Sequence, residues 1–239
     1  MGTGIRIVTV INRKGGCGKS TICRALASAA SARGEAVTIF DSDVSGSCYN
    51  WMLSGKERGN WQGDVKVIPM LDGVEILEAI GQIYEQSDQD HLILIDTFGG
   101  GSEAIDELAA AAHLVITPMM LSRGDFRETA ETMSWFSKLR DRAEDPSLIP
   151  PIGVLINRAP VRLSVIEDEI MNDVAASFPA FPMVLQNRNA FVRMDTEGLL
   201  GDMIANCANA GLATNLSKAL AEATDLLVIC DKFAGSVRE

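Results

Sequence analysis

Arg13-Lys14-Gly15-Gly16-Cys17-Gly18-Lys19-Ser20-Thr21 follows directly on Ile5–Ile11, a run rich in β-branched residues, and leads into the Ala-rich stretch Ser20–Ala32. The first run predicts a strand buried on both faces, and the second a helix ending at Gly34. Between them, Gly15, Gly16 and Gly18 let the backbone approach a ligand closely and take conformations closed to other residues. Successive N–H groups and the helix N-terminus then surround an anion. In this setting Lys19 is placed to reach the β- and γ-phosphates of a nucleotide, and the Ser20 hydroxyl to ligate Mg²⁺. At ordinary glycine usage such a string arises by chance with a probability on the order of 10⁻⁵ in a chain of this size.

Outward from this loop the pattern keeps alternating. Ala36–Phe40, Val65–Met70, Leu92–Ile95, Leu114–Thr117, Ile152–Ile156 and Met183–Leu185 read as strands. Gly73–Gln86, Ser102–Ala112, Asp125–Ala143, Leu163–Ala176 and Ala213–Lys232 read as helices. Strand–helix alternation implies parallel strands joined by crossover helices. The expectation is one α/β domain over 1–239, a P-loop NTPase with a mostly parallel twisted sheet flanked by helices on both faces. No linker, repeat or low-complexity tract divides the chain.

Carboxylates at strand ends are the natural company of a Mg·ATP site. Asp41 and Asp43 follow the second strand, and Asp96 follows Leu92-Ile93-Leu94-Ile95. Each is also a residue type that caps helices and forms turns. Asn157-Arg158 follows another strand, and an Asn amide can donate to and accept from a purine edge at once.

The loop departs from the ordinary GxxxxGK[ST] form, because Arg13 stands where the first glycine falls and a second lysine, Lys14, comes next. KGGCGKS resembles the deviant Walker A motif of the ParA/MinD superfamily, a resemblance that runs from about Ile5 to at least Arg193. It implies that Lys14 reaches across an ATP-bound homodimer to the partner's phosphates while Lys19 works in cis. Carried over position by position, the nucleotide-binding set is Lys14, Gly15, Gly16, Cys17, Gly18, Lys19, Ser20 and Thr21, with Asn157 and Arg158 at adenine. Ser20 would ligate Mg²⁺, Asp41 and Asp96 would hold it through water, and Asp43 would position the attacking water. The switch segments differ from the commonest pattern: Val44 and Ser45 follow Asp43, and Phe98-Gly99-Gly100-Gly101 follows Asp96-Thr97.

Absences narrow the group. There is no cysteine between Cys48 and Cys207, no CxxC pair, and only Tyr49 and Tyr84 as tyrosines. These features exclude the resemblance to cluster-binding and tyrosine-kinase branches. The five cysteines (Cys17, Cys23, Cys48, Cys207, Cys230) read as free thiols of a reducing compartment, with Cys17 a small filler in the loop. His91 and His113 read as strand-edge residues. No apolar run approaches the roughly 18 residues of a membrane span, and the C-terminal stretch lacks a basic amphipathic pattern. The expectation is a cytoplasmic protein with no membrane partner.

What remains resembles the short ParA type without an N-terminal helix-turn-helix, similar to plasmid-partition and T-DNA-transfer accessory ATPases. Pro118–Asp125 and Gln186–Phe191 carry the likeness to the partition group, and Asp96–Glu103 with Asn187–Leu200 the likeness to the T-DNA-transfer ATPases. It implies slow ATP hydrolysis stimulated by a cargo-bound adaptor, and non-specific nucleoid DNA binding by the ATP dimer. The net charge of −11 opposes strong DNA binding by a monomer, so the basic residues would act in pairs. Arg158, Arg162, Arg188, Arg193, Lys232 and Arg238 form the pool. Two alternatives stay open: a nucleotide-gated interaction module that hardly hydrolyses, and a metabolic P-loop ligase or synthetase.

Overall fold

A computed structural model describes residues 4–98 and 103–236. Seven strands form one sheet in the order β3-β2-β4-β1-β5-β6-β7, every pair parallel. They are β1 (Ile5–Val10), β2 (Ala36–Asp41), β3 (Val65–Pro69), β4 (His91–Asp96), β5 (Leu114–Met119), β6 (Ile152–Ala159) and β7 (Ala180–Gln186). The helices are α1 (Lys19–Ala32), α2 (Ser47–Glu57), α3 (Gly73–Gln86), α4 (Glu103–Ala110), α5 (Arg123–Arg142), α6 (Val165–Ser177), α7 (Asn189–Glu197), α8 (Leu200–Ala205) and α9 (Ala210–Ser236).

The apolar strands divide their side chains by parity. Val8, Val10, Leu92 and Leu94 face a core shared with α1, α2, α7, α8 and α9. Ile5, Ile7, Ile93 and Ile95 face the opposite core with α3, α4 and α5. A smaller cluster joins α6 to β5 and β6 through Met119, Val154, Ile170 and Val174. Burial on both faces is why the strands read as continuous apolar runs. The expected P-loop architecture is therefore present, with helices on both faces.

The differences lie where local signals are weak. β7 covers Ala180–Gln186 rather than Met183–Leu185, and α9 begins at Ala210 and continues to Ser236. α6 begins at Val165, where Ser164 and Glu167 form a reciprocal capping box. Helices α2, α7 and α8 had no counterpart in the sequence pattern. α2 contains Ser54 and Gly55, poor helix formers, but Gly55 is set there by close packing. A Cβ on it would sit 2.7 Å from the Trp61 ring and 2.9 Å from the Gly198 Cα.

Ion pairs join β1, the turn before β2 and α9. Arg6 pairs with Glu35 and Asp231, and Arg33 pairs with Asp231 at 2.8 Å. The two histidines are structural: His91 Nε2 lies 2.9 Å from Thr38 Oγ1, and His113 Nδ1 accepts from the Ile7 amide. Among the described residues no helix is long and apolar enough to cross a membrane.

Candidate nucleotide and metal site

Parallel strands all deliver their C-terminal ends to one side of the sheet, where the loops can meet. Here β1 delivers the P-loop, β2 the Asp41–Asp43 segment, β4 Asp96, and β6 Asn157-Arg158. A cavity of about 380 Å³ is lined by Gly15, Gly16, Gly18, Lys19, Ser20 and Thr21, together with Asp43, Ser45 and Arg158. The loop and the first switch segment thus share one wall-to-wall space.

The glycines earn their places by geometry. Gly16 has φ 80° and Gly18 φ 100°, the left-handed region that side chains disfavour. At Gly18 a Cβ would also lie 2.0 Å from Asn157 Nδ2. Lys19 is buried, with its ammonium donating to the carbonyls of Asn12 and Lys14 at 3.3 and 3.2 Å. Cys17 packs inward with its Sγ on the Lys14 carbonyl, and burial pushes its thiol pKa up, consistent with a filler.

Lys14 does not line the cavity below its own loop. Its ammonium pairs with Asp125, in the first turn of α5, whose carboxylate is 1% exposed. That hydrogen bond holds the Lys14 pKa above its ordinary value. The other Asp125 oxygen is buried without a partner. Sequence reasoning singled out Asp125 only as part of a loop motif; its partnership needed the fold, which brings residues 111 positions apart together.

The three aspartates differ. Asp43 is half-buried at the cavity rim, and its Oδ1 accepts from the Ser45 amide at 2.8 Å. Both Asp41 oxygens are taken by backbone amides, from Tyr49 at 2.9 Å and Asp43 at 3.4 Å. Asp41 therefore anchors the start of α2, and each of its oxygens keeps a lone pair for a further donor. Asp96 is 1% exposed; its Oδ2 accepts from Cys48 Sγ at 3.2 Å, while Oδ1 is buried with no partner. Burial raises its pKa to about 6, offset in part by the Ser20 side chain beside it.

A buried carboxylate oxygen without a donor, next to a P-loop hydroxyl, fits a divalent cation held mainly by phosphate and water. Mg²⁺ commonly binds in this way, with few protein ligands. No group of three or more His, Cys, Asp or Glu capable of holding a metal occurs among the described residues. The residues present thus fit Mg·ATP: Ser20 and Asp96 at the metal, the loop amides and Lys19 at the phosphates. Phe98 packs on the second core, whereas Gly99–Gly101 lie outside the described residues.

A narrow second cleft of about 20 Å³ adjoins, lined by Thr21, Asn157, Arg158, Gln186, Phe191 and Asp195 among others. Asn157 does reach it, but its amide is already engaged. Nδ2 donates to the Cys17 carbonyl at 3.0 Å, and Oδ1 accepts from the Arg158 amide at 2.9 Å. Asn157 thereby ties β6 to the P-loop, a role the purine-edge expectation did not contain. Arg158 has φ 53°, the sole positive φ outside glycine among the described residues, and such strain gathers at functional positions.

Arg24 had no signal in the sequence. From α1 it reaches Asp195 of α7 at 2.6 Å and the Ser47 carbonyl of α2 at 2.8 Å. Its guanidinium lies 5.9 Å from the centroid of the Trp51 ring, and Trp51 in turn packs edge-on against Trp61 at 4.6 Å. The segment before α2, the second cleft at Asp195 and α1 are joined through this one side chain.

Comparison with known proteins places this geometry. A family model described as "VirC1 protein" matches residues 5–235. The chain belongs to the VirC1 family. The VirC1 proteins of Rhizobium rhizogenes and Rhizobium radiobacter are 28% and 26% identical to it over 235 residues, 98% of this chain and all of each relative. Solved structures share the fold, which is that of ParA and MinD. The pnob8 ParA covers 96% of this chain and 99% of its own, at TM-score 0.67 and 16% identity. A plasmid partition protein of Borrelia burgdorferi B31 bound to AMPPNP covers 92% and 99%, at TM-score 0.64 and 16% identity. A cobyrinic acid a,c-diamide synthase of Mycobacterium smegmatis, with bound ATP analog and magnesium, covers 87% and 97%, at TM-score 0.62 and 16% identity. At those identities the structures establish the fold alone. The VirC1 match bears out the likeness to T-DNA-transfer accessory proteins that Asn187–Leu200 carried.

Proposed function

We propose that this VirC1-family chain is an ATPase that positions DNA or a large complex through an ATP-gated homodimer. Mg²⁺ held near Ser20 and Asp96 supplies charge neutralisation for phosphoryl transfer when bound. Lys19 and the loop amides hold the β- and γ-phosphates, and Asp43, at the cavity rim, orients the attacking water. The observation that carries the dimer is Lys14. It is a second P-loop lysine that does not line its own cavity, is 37% exposed, and among the described residues makes one ion pair, with Asp125. A lysine so placed suits delivery to another subunit's phosphates, as an arginine finger is delivered.

In the ATP dimer, pairs of basic residues make non-specific DNA contacts, and a cargo-bound adaptor stimulates hydrolysis and release. Within the expected basic pool, Arg158 and Arg162 are exposed and make no ion pair among the described residues. Arg188 is committed to Glu222 at 2.8 Å and Arg193 to Glu197 at 2.8 Å, so Arg158 and Arg162 are the stronger DNA candidates. Lys232 is exposed on α9, and Arg238 lies outside the described residues. The synthetase reading rests on shared fold, which hosts many activities.

Light scattering with ADP, and then with ATP and Mg²⁺, tests the proposal. The expected result is an ATP-specific dimer that accumulates in Asp43→Ala and is lost in Lys14→Ala, with nucleotide binding largely kept. A monomer under every condition overturns it and brings the synthetase reading forward.

A further inference from the structure

The first turn of helix α2 donates to two strand-end carboxylates, Asp41 and Asp96. Its Tyr49 amide donates to Asp41 Oδ2 at 2.9 Å, and the Cys48 thiol donates to Asp96 Oδ2 at 3.2 Å. Arg24 holds the Ser47 carbonyl just before them. Cys48 itself is fully buried in the core shared by α1, α2 and β4. A thiol suits that position: it packs as a small hydrophobe yet still offers one weak donor.

The consequence falls on Asp96. A strand-end aspartate has two side-chain torsions, and one oxygen must be fixed before the other has a defined direction. With Oδ2 occupied by the thiol, Oδ1 is the oxygen left buried and unpartnered. We propose that Cys48 is a positioning residue for the divalent cation, its thiol holding Asp96 so that Oδ1 faces the cation beside Ser20. Because Cys48 lies five residues after Asp43, the same contact ties the metal position to the first switch segment. The inference rests on the Mg·ATP reading above.

The test is equilibrium binding of a fluorescent ATP analogue, with and without Mg²⁺, to wild type, Cys48→Ala, Cys48→Ser and Cys48→Val. Removing an outer partner of a metal ligand costs 10–100-fold in metal affinity, and a weak donor belongs at the low end. Cys48→Ala is therefore expected to raise the Mg²⁺ concentration for half-maximal effect by roughly tenfold, with metal-free nucleotide affinity unchanged. Cys48→Ser, which keeps a donor, is expected to restore the wild-type midpoint. Cys48→Val, which fills the core without a donor, is expected to match Cys48→Ala, and it decides the matter if Cys48→Ala does not fold. An unchanged Mg²⁺ midpoint in both donorless variants overturns the inference, as does a Cys48→Ser as weak as Cys48→Val. A wild type that binds the analogue with no response to Mg²⁺ overturns the Mg·ATP reading itself, a distinguishable outcome.

Discussion

Asp96→Asn should make the nucleotide-free protein more stable at neutral pH while destroying its response to Mg²⁺. Burial raises the Asp96 pKa from 3.8 to about 6, so the folded chain holds this proton more tightly than the unfolded one. Below about pH 4 the carboxyl is protonated in both states and the penalty is absent. Between about pH 4 and 6 only the unfolded chain ionises, so stability falls as pH rises; above about 6 the full penalty is in force. Roughly two pKa units at 1.36 kcal/mol each give about 3 kcal/mol as an upper figure. An Asn keeps an acceptor for Cys48 and carries no charge. Urea unfolding of wild type and Asp96→Asn, without nucleotide, should show a gain of about 2–3 kcal/mol at pH 8 that shrinks towards zero at pH 4. Titrations common to both proteins cancel in the difference. A gain independent of pH, or a less stable variant at pH 8, refutes the claim that Asp96 is held at a cost in readiness for a cation.

The remaining predictions concern the loop and the DNA surface. Lys19→Ala should lose phosphate affinity by at least tenfold in calorimetric titration with ATP, whereas Lys14→Ala should bind ATP within a few-fold of wild type and fail to hydrolyse it, since charge-assisted contacts to phosphate are worth about 1.5–3 kcal/mol. Gly18→Ala combines a φ of 100° with a 2.0 Å clash on Asn157; about 2 kcal/mol of strain should lower the melting temperature by about 4–8 °C, and nucleotide binding should be lost. DNA binding by the ATP dimer should weaken with salt at a log–log slope of about −4 if two arginines per subunit meet phosphates. Arg158→Ala with Arg162→Ala should flatten that slope, and a slope unchanged by the pair would falsify their role.

The strand–loop–helix around Lys19 was legible because its chemistry is local: strand, glycines, lysine and hydroxyl are consecutive. The same holds for the central strands, whose two-sided burial writes an unbroken apolar run. Asp96 was legible as a strand-end carboxylate, but its orphaned oxygen was not, because that depends on Cys48, 48 residues away in sequence. Arg24, Asp195 and Asp125 were silent or misplaced for the same reason. Each is an ordinary helix residue until tertiary packing brings its partner. α2 was hidden by Gly55, which weakens the local helix signal and is there for the close approach of Trp61 and Gly198. Three of the expected metal and nucleotide residues, Asp41, Asn157 and Lys14, share one feature. Their side chains are already bonded within the chain, a state that motif spacing does not encode.

The pairing of Trp51 with Trp61 gives the protein an optical readout of its own. Trp51 rides on the helix whose first turn grips Asp41 and Asp96, with the Arg24 guanidinium beside its ring and Trp61 edge-on to it. A displacement of that helix changes the charge and the stacking seen by one indole. The third tryptophan, Trp135, sits on α5 with its indole N–H on Asp106, and it does not line the cavity. Intrinsic emission, with no added label, can then follow the first switch in real time as nucleotide arrives and leaves.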